Sequence, residues 1–174
     1  MDRLAELGGV PAELSATARE RLDAVLPPTW SGSNPVDIIG DADSARYAAA
    51  LEILLADPGN DAVLVMNVQT AVAAAGDIAE TVTRVVAAAR EKVGTARPVL
   101  AVWVGAGPEI PRAFDAAGIP NFATEDDAVR GFIRVQGHDD CPPKLVWSDS
   151  YSENFRILPW WEGDGPLAKV TLPG

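Results

Sequence analysis

Apolar positions recur along this chain with two alternating periods, and the alternation predicts a fold class. In LSATARERLDAVLPP, Leu14, Ala18, Leu22 and Val25 share one helical stripe, with Ser15 as the N-cap and Pro27-Pro28 as the stop. After a polar turn, PVDIIG puts Val36, Ile38 and Ile39 in a short buried strand ended by Gly40. Helical spacing returns from Ser44 to about Ala56 through Tyr47, Leu51, Leu54 and Leu55, and DPGND then turns the chain into the strand DAVLVMNV. Asp77 and Glu80 have the spacing of a capping box, and Ile78, Val82, Val85, Val86 and Ala89 form the apolar face of a helix ending near Lys92. PVLAVWVG, residues 98–105, reads as a strand apolar throughout. Residues 108–117 form a helix closed by Gly118, 119–123 a short strand, and Thr124 caps a last helix through about Arg134.

Strands that are apolar throughout and separated by helices are what a parallel sheet buried on both faces requires. The expected architecture is α/β, a parallel sheet with helices on both faces in the order βαβαβαβα, occupying residues 1–135. Ligands of such a sheet gather at the carboxyl ends of its strands. That rule singles out the loops 40–44, 67–76 and 105–108. Residues 136–174 sustain no helical or strand period and are expected to form an irregular tail, which carries His138, Cys141, Trp147, Trp160 and Trp161. Two origins for it stay open: an extension that packs its aromatics on the domain, or a foreign reading frame.

Composition narrows the partners. A chain of 174 residues, 48% hydrophobic, suits one domain with a sizeable core. With 25 acidic against 14 basic side chains the formal charge is −11, which repels a nucleic-acid backbone and an anionic membrane surface. Neither nucleic acid nor membrane is an expected partner. A small anion remains one, because backbone N–H groups at a helix start hold phosphate whatever the net charge. The single cysteine, Cys141, precludes an internal disulfide and a cysteine-based metal site. The chain shows no basic-then-apolar leader and no apolar run near the ~20 residues that cross a bilayer, so a cytoplasmic location is expected.

Three loops carry candidate chemistry. In NPVDIIGDADSARY a strand delivers Gly40 and a turn opens a helix, which makes Gly40, Asp41 and Ala42 a latent anion site. The competing reading is that Asp41 or Asp43 merely caps that helix, and in an arbitrary α/β domain capping outweighs phosphate binding. NVQTAVAAAGD offers Asn67, Gln69, the Thr70 hydroxyl and backbone N–H groups to a carboxylate or acyl phosphate, against the alternative of an ordinary polar loop. GAGPEIP lacks the full dinucleotide fingerprint and reads as a turn. The sequence holds no His–Cys–Asp cluster, no histidine pair and no nucleophile elbow, so no catalytic residue and no metal ligand is assigned. His138 is expected to be a surface residue. Asp37, Asp41, Asp43 and Asp77 gather toward one sheet edge, but their spacing does not make an acid–base pair.

The stretch GVPAELSATARERLDAVLPPTWSGSNPVDIIGDADSARYAAALEILL resembles the middle of ADP-forming acetyl-CoA synthetases and related acyl-CoA ligases, with NPVDIIGDA its most specific part. The likeness continues through DAVLVMNVQTAVA, PVLAVWVG, AAGIP and EDDAVRGF in the family's order, covering about Gly9 to Val135. The resemblance implies a succinyl-CoA synthetase-like, flavodoxin-like domain. It also implies a role in making acyl-CoA from an acid, CoA and ATP through an acyl phosphate and a phosphohistidine, which helix N-termini steady.

On that analogy the helix start Gly40-Asp41-Ala42 faces phosphate, and the loop Gln69-Thr70-Ala71 faces the acyl substrate. Gln69 stands where many relatives carry proline. His138 follows the matched region and lacks the phosphohistidine motif around it. The CoA-binding domain, the segment bearing that motif and the ATP-grasp domain are absent from this sequence, and they are its implied partners. ATP or ADP, Mg and CoA belong to the complete enzyme and are not assigned to this chain alone. The expectation is a fragment or separately encoded module, inactive by itself. Two alternatives stay open: a non-catalytic module that binds a CoA ester or acyl phosphate, and part of a protein lysine acetyltransferase with a synthetase-like region.

Overall fold

The computed structural model of the protein describes residues 2–68, 74–93, 97–105, 107–136 and 143–149. Along the chain these form α1 (Asp2–Glu6), β1 (Val10–Pro11), α2 (Ala16–Val25), β2 (Val36–Asp37), α3 (Ser44–Ala56), β3 (Ala62–Val68), α4 (Ala75–Val93), β4 (Val99–Val104), α5 (Glu109–Ala116), β5 (Asn121–Phe122), α6 (Glu125–Gln136) and β6 (Lys144–Asp149). The strands make one parallel sheet in the order β1-β6-β3-β4-β5, and β2 pairs with the far end of β6 beyond β1.

Side chains on a strand alternate between faces, and β3, β4 and β6 each send apolar residues to two cores. Val63 and Val65 of β3, Val99, Ala101 and Trp103 of β4 and Val146 of β6 point to the core shared with α2, α3, α4 and α5. Ala62 and Leu64, Leu100 and Val102, and Leu145 point the other way, to Leu4 of α1 and to Ala128, Val129 and Phe132 of α6. This is why the strand sequences read as apolar throughout. In the larger core Trp103 meets Phe114 of α5 edge to face, with ring centroids 4.8 Å apart.

The helix ends follow local chemistry. The Ser15 hydroxyl accepts from the Ala18 amide to start α2, and Thr124 Oγ1 accepts from the Asp127 amide to start α6. Gly118, with φ 64°, closes α5 in the left-handed conformation that glycine adopts at least cost.

Three expectations need correction. The second strand stops at Asp37 rather than reaching Gly40, because Ile39 turns to φ 69° and leaves the extended region. Helix α4 starts at Ala75, two residues ahead of the expected cap, so Asp77 lies inside the first turn, where its charge suits the helix dipole. Within the segment expected to be irregular, α6 runs on to Gln136 and residues 144–149 form β6, a central strand. Its apolar run, Leu145-Val146-Trp147, is too short to register as a period in sequence. Pairing with β3 on one side and with β1 and β2 on the other supplies what the local pattern lacks. His138, Cys141, Trp160 and Trp161 lie outside the described residues.

Candidate functional site

The carboxyl edge of the sheet collects the loops that leave β2, β3 and β4, and the loop after β2 is the most constrained of them. Val36 is fully buried, and the Asp37 carboxylate accepts from the Ile39 amide at 2.8 Å, folding the chain back just past the strand. Ile39 takes the left-handed conformation, Gly40 and Asp41 turn the chain, and the Ala42 amide donates to the Ile39 carbonyl at 3.0 Å. A β-branched residue with positive φ is held there by its surroundings at a cost of about 1–3 kcal/mol. Ala42 is buried, and Asp43 then caps α3, its carboxylate accepting from the Arg46 amide at 2.8 Å.

Arg46 is the candidate site residue that the sequence reading does not single out. Its guanidinium donates to the Ile38 carbonyl at 3.2 Å and also pairs with Asp41. The pairing holds the exposed Asp41 carboxyl below its ordinary value, first through the hydrogen bond from Arg46 and then through its charge. A signal was present in the sequence. A cation in the first turn of a helix opposes the dipole, so its presence there asks for a local anion or carbonyl to offset it. At Gly40, Asp41 and Ala42 the structure thus assembles a tight turn, a carboxylate and a half-buried cation.

Helix α3 is tied to the neighbouring strand by a buried polar chain. Tyr47, in its first turn, donates from its hydroxyl to the Met66 carbonyl at 3.1 Å and accepts from the Asn67 amide group at 3.0 Å. Asn67, only 4% exposed at the carboxyl end of β3, keeps its Oδ1 buried without a hydrogen-bond partner among the described residues. A buried acceptor left without a donor costs about 1–3 kcal/mol, so Oδ1 is open to an N–H or O–H group. The residues that follow, including Gln69, Thr70 and Ala71, lie outside the described residues.

The third loop contributes little. Gly105 has φ 79°, the Glu109 side chain lies over Gly107, and Pro108 precedes α5 without a side-chain cap. Of the four candidate carboxylates, Asp37 folds its own turn, Asp41 pairs with Arg46, Asp43 caps α3 and Asp77 lies in the first turn of α4. Among the described residues no group of three or more His, Cys, Asp and Glu side chains is arranged to hold a metal ion, and no helix is long and apolar enough to cross a membrane.

A parallel sheet covered on both faces, with a helix opening from a tight turn at its carboxyl edge, defines an α/β domain that presents its loops to ligands on one side. Residues 3–129 match the Ligase-CoA domain, and the chain belongs to that family. It is 33% identical over 108 residues to the alpha subunit of an ADP-forming acetate–CoA ligase of Pyrococcus furiosus, a match covering 60% of this chain and 22% of that subunit. Over 48 residues it is 44% identical to an ADP-forming 4-hydroxybutyrate–CoA ligase of Nitrosopumilus maritimus, covering 28% of this chain and 7% of that enzyme.

Among solved structures, it superposes on a dinucleotide-forming acetyl-coenzyme A synthetase of Candidatus Korarchaeum cryptofilum, in complex with phosphate and ADP, with a TM-score of 0.64 and 26% identity. That match covers 78% of this chain and 30% of the other. A Pyrococcus horikoshii protein gives a TM-score of 0.62 with 30% identity over 74% of this chain and 29% of its own. The chain thus spans about a fifth of the acetate–CoA ligase subunit and under a third of these two structures.

Proposed function

We propose that this chain is one domain of a nucleoside-diphosphate-forming acid–CoA ligase and that it presents the start of α3 to a phosphoryl group. The observation that carries the reading is the Ligase-CoA match over residues 3–129, within which the turn Gly40-Asp41-Ala42 lies at the ligand-gathering edge of the sheet. The complete reaction would join an acid to CoA at the expense of ATP, through an acyl phosphate and a phosphohistidine. The CoA-binding and ATP-grasp domains would come from elsewhere. This chain would supply charge and orientation. Arg46 would exchange the Asp41 carboxylate for a phosphoryl oxygen, and the Gly40 amide would donate to the same group, the Ala42 amide being held by the Ile39 carbonyl. Gln69, Thr70 and Ala71 would line the acyl side. ATP or ADP, Mg and CoA would belong to the complete enzyme.

The test is reconstitution. A related ADP-forming ligase deprived of its own Ligase-CoA domain is mixed with this chain, and acyl-CoA formation from acid, CoA and ATP is measured alongside sedimentation. Association with recovered activity is the expected result, and Arg46→Ala is expected to lower the recovered rate about tenfold or more, in line with the loss of one charged donor to a phosphoryl group. No association and no recovered activity refutes the reading.

The cap that Asp43 already places on α3 favours one other reading, in which the helix start is purely structural and the chain is a non-catalytic module binding a CoA ester or acyl phosphate. Saturable binding of such a ligand by the isolated chain, without association with the other domains, would select it.

A further inference from the structure

The sheet departs from the simple pattern in the strand that fills the interior place beside its edge. A flavodoxin-like sheet runs in the order 2-1-3-4-5. Here β1 and β2 share the place of strand 2, β3, β4 and β5 hold places 3, 4 and 5, and the place of strand 1 is taken by β6, the last strand in sequence. Helix α1 fits the same scheme. It contributes Leu4 to the core it shares with α6, on the face opposite α2–α5, where the crossover helix between strands 1 and 2 would lie. The layout β6–α1–β1 is therefore that of a βαβ unit whose strand comes from the other end of the chain.

The Ligase-CoA match ends at residue 129, before β6. The region that carries the family signal thus leaves the centre of its sheet open, and residues 143–149 close it. The slot reads its occupant through the backbone. The Asn34 side-chain amide donates both to the Ala12 carbonyl at 3.0 Å and to the Leu145 carbonyl at 2.9 Å. Asp61 brackets Lys144, accepting from its amide at 2.8 Å through the carboxylate and donating to its carbonyl at 2.9 Å through the main chain. The Val10 and Ala12 amides donate to the carbonyls of Pro143 and Leu145, each at 2.9 Å. Among the described side chains of the strand, Leu145 enters one core and Val146 the other, and Ser148 is buried beside them.

We infer that residues 2–136 form a strand-acceptor domain whose central slot takes one parallel apolar strand recognised through its main chain, and that this chain's own residues 143–149 are the occupant. The covalent path into the slot is then immaterial. The same strand serves when it precedes α1, because the contacts that hold it do not depend on the connection.

Three measurements on the whole chain and two variants test this. Hydrogen exchange on the unaltered protein is expected to protect the Leu145 and Val146 amides at least about 1000-fold, as in a sheet centre that opens only on global unfolding. A permuted chain, with residues 142–150 moved ahead of Asp2 through a Gly/Ser linker, is expected to unfold cooperatively at a urea midpoint close to that of the parent. The Val146→Asp variant is expected to bind a synthetic peptide of residues 142–150 saturably, and the parent, its slot filled, to bind it at least tenfold more weakly. Should Val146→Asp fail to fold, the permuted chain decides the matter by itself. Fast exchange at Leu145 and Val146 beside a protected β3, or a permuted chain that does not fold, overturns the inference.

Discussion

Ile39 concentrates the tension of the site in one residue. Its φ of 69° is a conformation that a β-branched side chain adopts only under constraint, and the constraint comes from Asp37 and Ala42, which bond to its amide and carbonyl. Replacing it with glycine removes about 1–3 kcal/mol of strain while adding about 1 kcal/mol of backbone entropy and losing a partly buried side chain. These terms nearly cancel, so Ile39→Gly is expected to change stability by less than about 1 kcal/mol in urea unfolding. By contrast, Ile38→Ala, in the fully buried neighbour, is expected to cost about 2–5 kcal/mol. Two residues alike in sequence thus separate by conformation. A second prediction concerns Asp41, whose carboxyl is held low by the Arg46 guanidinium. A depressed native value means that the pairing stabilises the fold above the ordinary carboxylate range and that this contribution disappears as pH falls through the native value. Asp41→Asn is therefore expected to unfold at slightly lower urea than the parent at pH 7, with the difference closing between about pH 5 and pH 2. Because Asp41 is solvent-exposed, the difference should also shrink in salt. A difference that persists undiminished in acid would show that the carboxylate acts through packing or turn geometry instead.

At the scale of elements, what was legible in the sequence is what is decided locally. The limits of α3 follow from Asp43, whose carboxylate caps it, and from the Asp57-Pro58-Gly59 turn that ends it, all visible as residue types at fixed positions. Asp43→Ala is expected to cost about 1 kcal/mol, whereas Asp43→Asn, which keeps an acceptor at the N-cap, is expected to keep most of that, as thermal or chemical unfolding would register. The same locality explains the misses. The pattern of Val36, Ile38 and Ile39 alternates well enough for a strand, but the bond from the Ile39 amide to the Asp37 carboxylate breaks it two residues in. An Asx turn of this kind competes with sheet pairing on equal local terms. Strand β6 was illegible for the opposite reason. Its Leu145-Val146 pair is unremarkable in isolation, and its identity as a strand comes from partners far away, Asp61 and Asn34 among them. Arg46 escapes the sequence reading because Asp41 enters it as part of the latent anion site or as a possible cap, and the pairing appears only once the 40–42 turn closes. The 40–42 turn is thus legible from its position after the strand, while the cation beside it is not.

On the scale of the whole molecule, the sheet's two cores and the net charge act against one another. Apolar side chains from alternate faces of β3, β4 and β6 supply the cohesion, divided between α2–α5 on one side and α1 and α6 on the other. Against this stands a formal charge of −11, whose self-repulsion grows when the chain is compact. Attractive pairs do little to relieve it. The ion pairs among the described residues, Arg3 with Glu6 and Asp126, Arg130 with Asp126 and Arg46 with Asp41, all involve exposed or half-exposed groups, whose attraction solvent largely screens. Screening weakens both effects, but it acts on every like-charged pair beyond the Debye length, which contracts from about 30 Å at 0.01 M salt to a few Å near 0.5–1 M. The long-range repulsion in the folded state is therefore removed over a distance range that the short ion pairs barely sample. The unfolded chain, with its charges farther apart, gains less from the same screening. Raising NaCl from about 0.01 M to about 0.5 M is accordingly expected to raise the urea midpoint with little change in the slope of the transition, since the surface exposed on unfolding stays the same. A midpoint that falls over this range would mean that the pairs centred on Asp126 and Arg46 outweigh the repulsion, and that the acidic surface is held together rather than strained by its charges.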